Sequence, residues 1–387
     1  MNLSYYIARR IKFKGVLSVV SIAVSYTVMI IAVAVSSGFR NEIRNGIADI
    51  SGDVQILPVG LTIAGEGQPI SSDAAYLSVV EDIDGVAEIV PAIYRTGIVR
   101  NEGTIQGAVF KGVPSDSENP LSASVPRRLA DVSGIDKGDK MTVYFVGEKI
   151  KVRNFTVTEI YDGLLDSEDK LVVKVPMEGL QRLNGWDSLQ VSAFEVNLDR
   201  DSRSVDDMRR IASEISSAIY ENASEDDVTV TAASAADRYP RLFDWLDLID
   251  FNVLFILILM TVVAGFNMMS GLLIMLFENI SLIGLLKSLG MKDLAIAKVF
   301  AAKSSSLVLK GMLAGNAAAF LFCILQGCTK FLKLNPENYF IGFVPVHINP
   351  AAVLAADLAS YIIIMLLLCL PSLFISRVDP AKTVSVR

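Results

Sequence analysis

FNVLFILILMTVVAGFNMMSGLLIMLF, residues 251–277, runs without a single formal charge. About 20 apolar residues of helix cross the hydrocarbon core of a bilayer, so this stretch reads as a membrane span. Three other runs share its character. Gly15 to Gly38 is also uncharged; Val299 to Thr329 carries only Lys303 and Lys310, near its start; Ala351 to Ser376 carries only Asp357, also near its start. Hydrophobic residues make up 52% of the 387, gathered into these runs and not interleaved with charge as in a soluble core. The chain therefore reads as an α-helical membrane protein with four spans.

Lysine and arginine set the orientation, because short loops rich in them stay in the cytoplasm. Residues 1–15 hold Arg9, Arg10, Lys12 and Lys14 and no acid. The loop after the second span holds Lys287, Lys292, Lys298 and Lys303 against Glu278 and Asp293, and the tail holds Arg377, Lys382 and Arg387 against Asp379. An even number of spans puts all three on one side, with both termini cytoplasmic. The first span is too long for the apolar centre of a signal peptide, about 7–15 residues, so it is expected to stay in the chain. The expected order is a cytoplasmic segment 1–15, spans at 16–38 and 251–277, a cytoplasmic coupling segment 278–298, spans at 299–329 and 351–376 joined by an outer loop 330–350, and a cytoplasmic tail 377–387.

Residues 39–250 then form an extracytoplasmic domain. It holds 21 basic and 37 acidic residues, net −16, a split that the whole-chain charge of −7 conceals. Such a surface argues against nucleic acid or anionic lipid as a partner. Two strand–helix–strand units bracket the domain. The first is Asp53 to Leu57, a helix from Asp73 to about Asp84 capped by Ser72, and a strand from Val86 to Ile93. The second is Val191 to Leu198, a helix opened by a capping box at Ser204 and Asp207, and a strand from Asp227 to Thr231. Val205, Met208, Ile211, Ile215 and Ile219 mark one face of that second helix. Merged, the two units make an α+β, ferredoxin-like layer. Residues from about 97 to 190 are β-branched and aromatic with glycine at the turns, and read as a β-rich insertion.

Sites for chemistry are sparse. No phosphate-binding Gly-x-x-x-x-Gly-Lys-Ser/Thr loop, nucleophile elbow or zinc spacing occurs. The one histidine, His347, stands beside Pro345 and Pro350 in the outer loop. Cys323, Cys328 and Cys369 all fall in spans, and Leu325 to Cys328 imitates a lipidation box too deep in the chain to be one. An enzyme is not expected, and neither metal nor cofactor. Ser18, Ser21, Ser25, Ala32 and Ser36 form a small-residue ridge along the first span. Close helix packing is the simpler reading of it, and the border of a substrate cleft the sharper one; Asn267 of the second span joins this set. Glu278 to Gly290 is a short apolar helix with a glycine stop. Ile283, Leu286 and Leu289 give it a sticky face, suited either to the lipid interface or to a partner's groove.

At this loop the sequence resembles a known family. Phe266-Asn267-Met-Met-Ser270, Leu-Phe-Glu278 and Ile283-Gly-Leu-Leu-Lys-Ser-Leu-Gly290 are similar to the second span and coupling helix of FtsX-like/MacB-superfamily ABC permeases. Ile7 to Arg10, Ser37 to Phe39 and Glu42 match its start. Asn338 to Pro345, Pro371, Arg377 and Asp379 to Ala381 are most like the lipoprotein-releasing LolC/LolE group. The resemblance implies a permease in the inner membrane of a Gram-negative bacterium. It would pair with a second copy or a paralogue, and be driven by a separate pair of ATPase subunits that hold the ATP and Mg. Glu278, Ile283, Leu286, Lys287, Leu289 and Gly290 would contact the ATPase, and its stroke would pass through stalk-like stretches near Phe39–Ile47 and Tyr239–Asp250. The cargo implied is a lipoprotein, drawn from the outer leaflet and passed to a periplasmic carrier. One departure is Leu282, which stands where relatives place an acid. The alternatives are a MacB-like efflux permease and, from another class, a membrane sensor with an external ligand-binding domain.

Overall fold

The computed structural model describes residues 15–59, 68–101, 103–115, 119–147, 149–163, 171–199, 203–224, 228–335, 339 and 341–372. The basic segment 1–14, the tail 377–387 and Asp227 lie outside them. The chain divides into two compact units. One comprises residues 41–245 and 333–343; the other holds the apolar helices. Helix α1 (Val16–Ser51) belongs to both, since it does not stop where the apolar run stops.

The first unit follows in chain order: β1 (Val54–Pro58), β2 (Ile70–Ser71), α2 (Tyr76–Glu81), β3 (Val86–Asn101), β4 (Thr104–Val113), β5 (Ser122–Pro126), α3 (Arg127–Ser133), β6 (Lys140–Phe145), β7 (Lys151–Tyr161), β8 (Val172–Pro176), α4 (Met177–Asn184), β9 (Gln190–Val191), β10 (Ala193–Leu198), α5 (Val205–Asn222), β11 (Val230–Ser234) and α6 (Ala235–Arg238). One layer has the order β11-β1-β10-β3, every neighbour antiparallel. Helix α5 buries Met208, Ile211, Ala212, Ile215 and Ile219, the face its 3.6-residue periodicity marks. Ser204 caps it by accepting the Asp207 N–H at 3.0 Å, and Asp206 and Asp207 suit the positive end of its dipole. The other helix differs from expectation. It is only Tyr76–Glu81 and has no side-chain cap, because the Ser72 hydroxyl donates instead to the Leu189 carbonyl at 2.8 Å.

Strand β3 is 16 residues long and serves two structures. Val86 to Ala92 pair with β10; Ile93 to Asn101 pair with β4, and Ile98 to Arg100 also with β6. From β3 the pairings pass through β4, β8, β5, β7 and β6 and return to β3, a closed six-stranded barrel. Closure leaves those strands no free edge. Phe110, Phe145 and Phe155 fill the interior, with ring centroids 5.0–6.2 Å apart. Gly97 is obligatory beside them: a Cβ there would lie 2.8 Å from Val143 and 2.9 Å from Phe110.

The last turn of α1 is held by buried charge. The Lys111 ammonium donates to the Asp49 carbonyl at 2.6 Å and pairs with Glu195 at 2.7 Å. Tyr94 donates its hydroxyl to the Ile50 carbonyl at 2.8 Å and also contacts the Glu195 carboxylate. These groups satisfy carbonyls that a helix end leaves without partners. Lys174 adds an ion pair to the Asp49 carboxylate at 2.6 Å. Burial pushes the Glu195 carboxyl above its ordinary value, although Lys111 and Tyr94 pull the other way. Burial, then the Glu195 charge, holds the Tyr94 hydroxyl well above its own.

The second unit contains α1 to Arg40, then α7 (Pro240–Glu278) from Leu246 onward, α8 (Ile280–Ser288), α9 (Asp293–Thr329), α10 (Pro350–Leu367) and α11 (Cys369–Ser372). Among the described residues, four helices are long and apolar enough to cross a membrane. They extend past the apolar runs: α7 starts at Pro240 and α9 at Asp293. A polar, helix-favouring sequence keeps its hydrogen-bond ladder beyond the apolar stretch. Ile22, Tyr26, Ala264, Met268, Phe300, Val308 and Ile364 form the bundle core. Helices α1 and α9 meet where Gly311 and Gly315 lack side chains. A Cβ at Gly311 would lie 2.6 Å from Ile22, and one at Gly315 would lie 2.5 Å from the Ala23 carbonyl. Thr27 seals the crossing by donating to the Gly315 carbonyl at 3.1 Å. Small residues four apart are how apolar helices approach closely in lipid.

Two outcomes test this packing by thermal unfolding of the full chain in nanodiscs. Lys111→Met, which strands the Glu195 charge, is expected to cost about 3–5 kcal/mol. Adding Glu195→Leu should recover part of that. The single variant's loss grows as pH rises from the ordinary carboxylate value through the raised one of Glu195, where the folded chain must release a proton that the unfolded chain has already released. Gly315→Leu is expected to cost about 1–3 kcal/mol or more through overpacking, whereas Ala314→Leu on the exposed side should be neutral.

Candidate functional site

Helix α7 ends at Glu278, which is exposed. Asn279 then leaves helical geometry at φ −110° and ψ 23°, and its side-chain amide donates to the Met275 carbonyl at 2.8 Å. That break redirects the chain into α8, and Gly290, at φ +84°, ends the turn that follows. A left-handed residue at this place is what glycine tolerates.

The faces of α8 are not distributed as expected. Ile283 is 1% exposed within the bundle core, and Leu282 and Leu286 pack half-buried against it. Leu289, at 75% exposure, and Leu285, at 51%, point outward, joined by Leu294 of the first turn of α9, at 78%. The sticky-face expectation is therefore corrected: two of its three members stabilise the chain's own bundle. The signal for the outward face was the four-residue spacing of Leu285 and Leu289. Lys287 is mostly buried and pairs with Asp293 at 3.0 Å. Leu282, where an acid was expected by resemblance, supplies core packing.

The small-residue ridge of α1 meets its own bundle. A Cβ on Gly271 would lie 2.4 Å from the Ser18 hydroxyl. Asn267 donates to Ser21 at 2.5 Å, Ser25 is buried, and Ala32 is half-buried. Ser36 donates to Asp250 at 2.5 Å, and Arg40 pairs with the same carboxylate. The segment between α9 and α10 folds onto the same helix. The His347 backbone N–H donates to the Ala34 carbonyl at 3.0 Å, and Gly38 leaves room for the Pro345 carbonyl. Among the described residues no group of three His, Cys, Asp or Glu side chains is placed to hold a metal ion.

Residues 254–380 match the family model of the FtsX-like permease C-terminal region. The chain is 22% identical over 414 residues to the lipoprotein-releasing system transmembrane protein LolC of Xylella fastidiosa strain Temecula1, covering 98% of this chain and 94% of that protein. It is 21% identical over 408 residues to LolC of Neisseria meningitidis serogroup B, covering 96% and 93%. Among solved structures, the periplasmic region of MacB from Actinobacillus actinomycetemcomitans overlaps 51% of this chain and 95% of its own at 11% identity, with a TM-score of 0.30. The family model and the LolC similarity bear out the resemblance read from the residues. The family model, the LolC similarity and the four apolar helices support a multi-pass membrane permease of the ABC-transporter kind.

The two faces of α8 separate in a stability measurement. Ile283→Asp buries a charge without a partner and should lower the thermal midpoint steeply. Leu285→Asp with Leu289→Asp should stay within about 0.5 kcal/mol per site of the parent, as exposed substitutions do.

Proposed function

We propose that this chain is the permease subunit of an ABC transporter that draws lipoproteins from the outer leaflet of the inner membrane, using a separate ATPase. The similarity to LolC over nearly the whole chain carries this reading. ATP and Mg belong to the ATPase pair; a second permease copy or paralogue completes the membrane part, and a periplasmic carrier receives the cargo. Residues 39–250 form the periplasmic domain, with both termini and the 278–298 segment in the cytoplasm. The strand order β11-β1-β10-β3, with a helix after β1 and after β10, supports the ferredoxin-like reading of its base. The barrel is the β-rich insertion.

The ATPase contact is assigned to Glu278, Leu285, Leu289 and Leu294. Ile283 and Leu286 act behind it, fixing α8 to the bundle so that a push on α8 is a push on α7 and α9. Such rigid transmission suits the task. Withdrawing an acyl chain from hydrocarbon costs about 0.8 kcal/mol per CH₂, which calls for a stroke driven by ATP and not for diffusion.

Copurification tests the contact. The intact chain should bring down a small ATPase subunit supplied with it, and Leu285→Asp, Leu289→Asp should lose that partner while keeping the parent's thermal midpoint. Retained binding in this stable variant would place the contact elsewhere. If the intact chain binds no ATPase, the permease reading itself fails and the sensor reading replaces it.

A further inference from the structure

The bundle buries one carboxyl group whose hydrogen bonds do not balance. Asp357, in the third turn of α10, is 8% exposed. Its Oδ2 accepts the Asn316 Nδ2–H of α9 at 2.6 Å. The second oxygen of each side chain, Asp357 Oδ1 and Asn316 Oδ1, is buried and has no donor among the described residues. An ionised carboxylate and an amide carbonyl are both pure acceptors. Buried acceptors without donors are destabilising, and a buried charge is more so.

We propose that Asp357 is a proton-binding site: it carries a proton on Oδ1 and donates it to Asn316 Oδ1, closing a two-bond acid–amide ring between α9 and α10. A single proton turns one orphan acceptor into a donor and satisfies the other, and it removes the buried charge. The ring sits beside a second clasp, in which Ser360 donates to the Tyr26 hydroxyl at 3.0 Å and so ties α10 to α1. Few other ionisable groups bear on it. Helix α1 brings Tyr26 at the level of Ser360; α10 brings its own Tyr361, engaged with Ser305 at 2.8 Å; α9 brings Lys310, exposed and nearly two turns before Asn316. The apolar run of α7, residues 251–277, has no charge at all. No cation stands close to Asp357 to favour its ionised form: among the described residues no ion pair includes it. Deprotonation would leave two buried acceptors without donors and a net charge between α9 and α10, so loss of this proton opens the α9–α10 contact.

Infrared difference spectroscopy of the full chain in nanodiscs tests this, comparing the parent with Asp357→Asn and reading the carbonyl band of a protonated carboxyl. The band should be present at neutral pH, absent from Asp357→Asn, and displaced in Asn316→Leu, which removes the acceptor. Asp357→Asn should keep the parent's thermal midpoint, since a neutral amide can form the same ring, and should lose whatever destabilisation the parent shows at alkaline pH. A carboxylate signal at neutral pH in the parent overturns the proposal. So does a protonated band that Asn316→Leu leaves in place, since the proton would then be held by water or another group.

Discussion

A peptide group in hydrocarbon has no water to bond, so each crossing segment must be a helix. The helices must then adhere without a hydrophobic drive, through close packing and internal hydrogen bonds. The α1–α9 crossing is where this chain meets both demands. Gly311 and Gly315 let the backbones approach until the Ala23 carbonyl and the Tyr26 side chain occupy the space a Cβ would need. Thr27 then bonds across. Asn267 with Ser21, and Ser360 with Tyr26, repeat the device at other seams. These short polar contacts position the bundle against which α8 is braced.

The other unit shows the opposite economy. In water a β-domain needs a dry core and closed edges, and the barrel supplies both with three phenylalanines and a returning ring of strands. Its Lys111–Glu195 pair is buried and costly to desolvate. Replacing a buried ion pair with apolar groups often leaves stability unchanged, so a pair kept here does something apolar groups would not. It places an ammonium and, through Tyr94, a hydroxyl on the carbonyls at the end of α1.

Much of this was legible in the residues, and the reasons differ by element. The four apolar helices follow from length and near-absence of charge, and helix α5 from five apolar residues at helical spacing behind a Ser204 cap. The Gly290 stop was readable because few other residues accept a left-handed backbone. Barrel closure was not readable: β4–β8 and β5–β7 are parallel pairings between distant segments, and no local pattern announces a partner. Lys111 and Glu195 stand far apart in sequence and look like two surface charges until the fold joins them. Ser72 looked like a cap and bonds elsewhere. Ile283 and Leu286 looked like an outward face because periodicity reports that a helix has an apolar side, not what lies against it. The four-residue spacing of Gly311 and Gly315 is a packing signal carried by the residues themselves.

The account turns on cargo-dependent work by a partner ATPase. The most direct measurement is ATP turnover by the assembled complex in nanodiscs, with and without a triacylated lipoprotein, alongside the Leu285→Asp, Leu289→Asp chain. Turnover that changes with lipoprotein in the intact complex, and loses that response in the variant, is the predicted result. Turnover indifferent to lipoprotein in an intact, ATPase-bound complex would contradict lipoprotein release and point to a different cargo.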